Sequence, residues 1–97
     1  MNNSKNKKSQ VIDVFLIKNK LGLHARAAAR FVNTASKYKS EVSVTKDGIT
    51  VNGKSIMGLL TLAAAPGSKI KLTVTGNDAQ NAFNELKKLI ISKFNEE

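Results

Sequence analysis

EVSVTKDGITVN, residues 41–52, is the stretch that decides the fold. Val42 and Val44 fall on one face and Ser43 and Thr45 on the other; Asp47-Gly48 supplies a tight turn, and Ile49 and Val51 resume the alternation. Two strands joined by so short a link must run antiparallel. The chain is therefore built around a hairpin, and its remaining segments have to dock onto the sheet that the hairpin begins.

Downstream, Asn52-Gly53 forms another turn, after which Ser55 can cap a short helix through Ile56, Met57, Leu59, Leu60 and Leu62. Gly58 weakens that helix in isolation. Its apolar side chains exceed what one buried face requires, so Ile56, Met57 and Leu60 suit either a partner surface or core packing. Pro66-Gly67 turns the chain into Lys69 to Thr75, where Ile70, Leu72 and Val74 point inward and Lys69, Lys71 and Thr73 outward. Gly76 breaks this strand. Asn77 can cap the last helix with Gln80 as its capping-box partner, and Ala79, Ala82, Phe83, Leu86 and Ile90 mark one face.

Upstream, the alanine-rich run Ala25 to Ser36 predicts a helix whose apolar stripe is Ala28, Phe31, Val32 and Ala35. Val11 to Ile17 is short, β-branched and aromatic, and its lack of clean alternation predicts an interior strand. The order is βαββαβα. Helices with one apolar stripe must cover one face of the sheet, which gives an α+β domain of two layers over residues 11–97. Residues 1–10 are polar after Met1 and carry Lys5, Lys7 and Lys8 without an acidic residue, the composition of a disordered basic tail.

The 97 residues suffice for a single domain, with 41% hydrophobic and 24% charged side chains. Sixteen Lys and Arg against seven Asp and Glu leave a net charge of +9, which favours an acidic or phosphorylated partner. With no cysteine and one histidine, neither a thiolate nor a histidine-cluster metal site can be assembled, and no metal or cofactor is expected. No apolar run approaches membrane-spanning length or forms a signal-peptide core, so no membrane insertion and a cytoplasmic location are expected.

The histidine sits in Leu21-Gly-Leu-His-Ala-Arg-Ala-Ala-Ala29, where the first helix is about to begin. Neither Leu23 nor His24 is a good N-cap, so the first N–H groups and the positive end of the helix dipole are left for an anion, phosphate above all. Arg26 adds a guanidinium fork suited to phosphate oxygens. The positive surroundings disfavour imidazolium and leave His24 as a neutral nucleophile able to take a phosphoryl group. On these residues alone a structural histidine in a loop is the favoured reading, and the spacing to Gly22 and Arg26 narrows that preference without removing it.

The split βαβ order is shared with RNA-binding ferredoxin-like domains, but the strands at 41–46, 49–52 and 69–75 contain no Phe, Tyr or Trp on which bases could stack. No nucleic-acid partner is expected. A purely interacting domain is the other rival, since no full catalytic set is expected: no acid paired with His24, no nucleophilic cysteine and no glycine-rich nucleotide loop. A phosphoryl carrier needs neither, because its partners supply the rest of the chemistry.

Gly22-Leu23-His24-Ala25-Arg26 with Ala28-Ala29, followed by Asn52-Gly-Lys-Ser-Ile-Met-Gly-Leu-Leu60, resembles the HPr family, the histidine-containing phosphocarriers of the bacterial phosphoenolpyruvate-dependent phosphotransferase system. The resemblance covers about Val11 to Ile91. It implies an open-faced β-sandwich of four antiparallel strands covered on one face by three helices. It implies that His24 is phosphorylated on Nδ1 by phospho-enzyme I and donates to EIIA domains, that Arg26 stabilises the phosphate, and that the protein is a carrier rather than a stand-alone enzyme. Ser55 matches the family's regulatory serine, the target of HPr kinase/phosphorylase. Ala27, Ile56, Met57 and Leu60 are the expected partner surface of a monomer. Where the family usually has proline this chain has Ala27, and its tail is longer than usual. A nitrogen-regulatory relative of HPr is the alternative within the family, although Lys54-Ser-Ile-Met-Gly58 fits the kinase-regulated kind better.

Overall fold

The computed structural model describes residues 9–96. The hairpin forms as expected: β2 (Glu41–Lys46) and β3 (Ile49–Asn52) pair antiparallel, with Val44 opposite Val51 and Thr45 opposite Thr50. Asp47 and Gly48 both take positive φ, the backbone a two-residue turn requires. β4 (Lys69–Gly76) joins the free edge of β2, and β1 (Ser9–Leu16) joins the far edge of β4, giving an all-antiparallel sheet of order β1-β4-β2-β3. The helices α1 (Ala25–Ala35), α2 (Ile56–Thr61) and α3 (Ala79–Ile91) form the second layer. The βαββαβα order read from the sequence is the order observed.

The inward rows of the central strands, Val42 and Val44 with Ile70, Leu72 and Val74, pack against Phe31, Leu59, Leu86 and Ile90 from the helices. Two corrections concern β1. It begins at Ser9, so Ser9 and Gln10 belong to the sheet, opposite Gly76 and Thr75; the remainder of the expected tail lies outside the described residues. It is also an edge strand rather than an interior one. Its alternation is masked because Ile12, Val14 and Leu16, about half exposed, lie on the uncovered face beside Thr73, Lys71 and Lys69. Apolar residues on both faces do not require a layer on both faces.

The buried face of α1 consists of Ala27, Ala28, Phe31 and Ala35, with Val32 half-buried at its margin. Ala27 is fully buried, which removes it from any partner surface: it stands one turn before Phe31 on the core side of the helix. The start of α3 differs from expectation too. Its N-cap is Asp78, whose carboxylate accepts from the backbone N–H groups of Lys39 and Ser40 and from the Ser40 hydroxyl rather than capping its own helix. After α3 the chain makes a 3-10 turn over Lys93–Asn95, in which all three residues take left-handed φ of 58 to 61°. Each costs about 1 kcal/mol. The full burial of Phe94, worth about 1.5–3 kcal/mol, offsets that cost together with the bond from Arg30 Nη1 to the Phe94 carbonyl at 2.6 Å.

Candidate functional site

The loop before α1 is fixed by backbone contacts. Gly22 takes φ +67° and donates to the Asn19 carbonyl at 3.1 Å, and Leu23 donates to the Ala64 carbonyl at 2.9 Å. A Cβ at position 22 would stand 2.5 Å from that same Ala64 oxygen, so both the dihedral and the close approach demand glycine. Leu23 is buried, and the next residue, His24, becomes the N-cap of α1.

That helix start has no side-chain cap. His24 is extended (φ −86°, ψ −176°), and its carbonyl accepts the first helical bond, from Ala28 N at 2.8 Å. By helix geometry the N–H groups of Ala25, Arg26 and Ala27 have no intrahelical acceptor and point out of the helix start, where the dipole is positive. Arg26 is exposed and makes no hydrogen bond or ion pair among the described residues. The imidazole is a quarter exposed, open enough to react and enclosed enough to be held in place. Helix-start donors and a guanidinium unpaired among the described residues thus stand within three residues of an imidazole nitrogen, an arrangement suited to receiving a phosphoryl group.

The expectation that no acid pairs with His24 is corrected here, and two members of this site, Glu96 and Asn19, carry no local signal in the sequence. Glu96 Oε2 lies 2.5 Å from His24 Nε2, and its Oε1 accepts from Asn19 Nδ2 at 3.1 Å. Burial pushes the Glu96 carboxyl up, but the hydrogen bonds from Asn19 and His24, with the charges of His24 and Arg26, outweigh it and hold the group below its ordinary value. The imidazole therefore stands between a positive helix end and a carboxylate. Glu96 is 72 residues from His24 in a polar Lys-Phe-Asn-Glu run, and no local pattern marks it; only Phe94, apolar beyond the last helix, hints that the chain there has something to bury.

Ser55 stands at the start of α2, with its Oγ accepting from Gly58 N at 2.9 Å, the cap its sequence position predicts. Lys54 beside it is tied by Nζ to the Tyr38 carbonyl at 2.7 Å. On α2, Leu59 enters the core, Leu60 is half-buried, and Ile56 and Met57 are 39% and 72% exposed. The apolar excess read from the sequence thus divides between core and surface. The packing of α1 against α2 brings the His24 and Ser55 segments into one helix layer. Among the described residues, no group of His, Asp and Glu side chains has the makings of a metal site, and no helix is long and apolar enough to cross a membrane.

Comparison with known proteins points to one family. The family profile described as "PTS HPr component phosphorylation site" matches residues 13–92. A phosphocarrier protein HPr from Neisseria meningitidis is 56% identical over 78 residues, which cover 80% of this chain and 88% of the relative. Among solved structures, HPr from Thermoanaerobacter tengcongensis superposes with a TM-score of 0.86 at 49% identity, covering 90% of this chain and 98% of that one. The phosphocarrier HPr of Bacillus anthracis gives 0.80 at 40% identity, over 84% and 98%.

Proposed function

The chain belongs to the HPr family of phosphotransferase-system phosphocarriers, and from that premise we propose that His24 is the residue that carries the phosphoryl group. It accepts the group on Nδ1 from phospho-enzyme I and passes it to EIIA domains. The single observation that supports this reading is the uncapped start of α1, with the histidine as its N-cap and free N–H groups beside it. The incoming dianion is met by those N–H groups and by Arg26, none of which has to be stripped from another partner among the described residues. Alanine at position 27 contributes an N–H where proline would contribute none, so this site has one more donor than the usual family sequence allows.

Ser55 is the regulatory position, phosphorylated by HPr kinase/phosphorylase. A phosphate on an N-cap is favoured by its own helix, yet it adds about two negative charges beside Ile56 and Met57. Those residues, with the margin of Leu60, form the surface that meets acidic partners, for which the net charge of +9 is suited. The carrier works in the cytoplasm as a monomer and needs no cofactor. Incubation with phosphoenolpyruvate and enzyme I is the direct test: acid-labile phosphohistidine is expected in the wild type and absent in His24→Ala. Phosphorylation that survives His24→Ala would end the assignment.

A further inference from the structure

The carrier role uses one nitrogen of the imidazole and gives no task to the carboxylate on the other. Glu96 is held in place from several directions. Asn19, fully buried, donates through the same Nδ2 to Glu96 Oε1 at 3.1 Å and to the Gly22 carbonyl at 2.6 Å. Both neighbours can only accept, so the amide orientation is determined: the nitrogen faces them, and Asn19 Oδ1 is left buried without a partner. The turn leading to Glu96 is anchored by buried Phe94 and clasped by Arg30. A loose surface carboxylate would show none of this.

An ionised carboxylate has no proton to give, so the 2.5 Å contact requires that the ring nitrogen donate. Nε2 carries the hydrogen, and in the neutral ring Nδ1 then keeps the lone pair. We propose that Glu96, steadied by Asn19, is a positioning residue that fixes the Nε2–H tautomer of His24 and balances the positive charge the ring gains during transfer. The inference rests on His24 being the phosphoryl acceptor. In the step itself the Nδ1 lone pair attacks phosphorus and a nitrogen–phosphorus bond forms. The bond from phosphorus to the donor breaks, its electron pair leaving with the donor atom. Nε2 keeps its proton, so the ring becomes a cation facing the Glu96 carboxylate while the phosphoryl oxygens face the helix N–H groups. Onward transfer runs the same changes in reverse. The division of labour resembles that of an imidazole held by a buried acid in hydrolases, with the nucleophile here being the imidazole itself.

A rival reading makes Glu96 a stand-in anion that merely blocks the site, and the two differ in sign. With the full chain labelled with 15N, the unphosphorylated wild type is expected to show a downfield, exchange-protected Nε2–H resonance for His24. Glu96→Ala should lose that signal and be phosphorylated by phosphoenolpyruvate and enzyme I roughly ten- to a hundredfold more slowly, the scale of a lost charge-assisted hydrogen bond. Glu96→Gln can still accept through its amide oxygen, so it should keep the protected resonance while losing rate for want of the charge. Absence of the resonance in the wild type, or phosphorylation of Glu96→Ala at an equal or higher rate, would overturn the proposal. Neither result bears on whether His24 is the acceptor, which His24→Ala decides separately.

Discussion

Two helix starts in this molecule solve the same problem in opposite ways. At the start of α2 the Ser55 hydroxyl accepts from Gly58 N, so the helix supplies its own cap. At the start of α1 the N-cap side chain turns away to Glu96 and leaves the helical N–H groups without an internal partner. The first arrangement stabilises the fold; the second forgoes a cap worth about 1 kcal/mol and keeps donors in reserve for a ligand. The start of α3 also lacks a side-chain cap, its Asp78 being engaged with Lys39 and Ser40, so what sets α1 apart is the imidazole that stands at its uncapped end.

The contrast can be tested at both ends. Arg26→Ala, which removes the cation from the uncapped start, is expected to slow phosphorylation by roughly ten- to a hundredfold with the thermal midpoint little changed, since the exposed side chain makes no hydrogen bond or ion pair among the described residues. A large loss of stability instead would mean that Arg26 is structural. Ser55→Asp keeps an acceptor at the capped start but adds charge next to Ile56 and Met57; transfer from enzyme I should slow by roughly tenfold, through encounter more than chemistry. An unchanged rate would separate Ser55 from the partner surface.

Ser55→Ala removes the cap alone. It should lower the unfolding free energy by about 1 kcal/mol in urea titration and leave the transfer rate as it was. The smallest effect belongs to a third helix start, that of α3, where Asp78 reaches across to the Lys39–Ser40 segment. The Ser40 hydroxyl first, and then the backbone N–H groups, hold the Asp78 carboxyl below its ordinary 3.8. Its stabilisation is therefore complete above that value and is lost as pH falls through the lower folded value. Asp78→Asn should flatten the acid limb of a stability profile below pH 3.8; a limb that keeps its slope would assign the acid sensitivity to other carboxylates.

Most of the architecture was legible because the relevant signals are local. The Asp47-Gly48 turn, the strict alternation of Lys69 to Thr75 and the face Ala79, Ala82, Phe83, Leu86 and Ile90 each follow from periods of two or 3.6 residues, and the structure has them as read. The position of β1 was not legible. Whether an apolar strand lies inside a sheet or along its edge depends on which partner it meets, and Val11 to Ile17 looks the same in either place. The site divides similarly. His24, Arg26 and Ser55 stand at helix starts and carry short-range signatures, whereas Glu96 and Asn19 matter only through a fold that closes 77 residues. Ala27 lies in the core rather than on the expected partner surface for a related reason: in an alanine-rich helix, side chains of one size do not reveal which of them face the core.

The bond between Leu23 and the Ala64 carbonyl, next to the glycine that allows it, has a further consequence. It staples the loop that carries His24 to the segment that follows α2, so the N–H groups at the helix start are already aimed before any charge arrives. A carrier must release what it accepts, and the same aim serves the outward trip as well as the inward one. On the proposed role of His24, donors aimed in advance lower the reorganisation cost of arrival and of departure alike. A residue without a side chain, Gly22, is thus what lets the loop lie against the Ala64 carbonyl and holds the start of α1 in that aim.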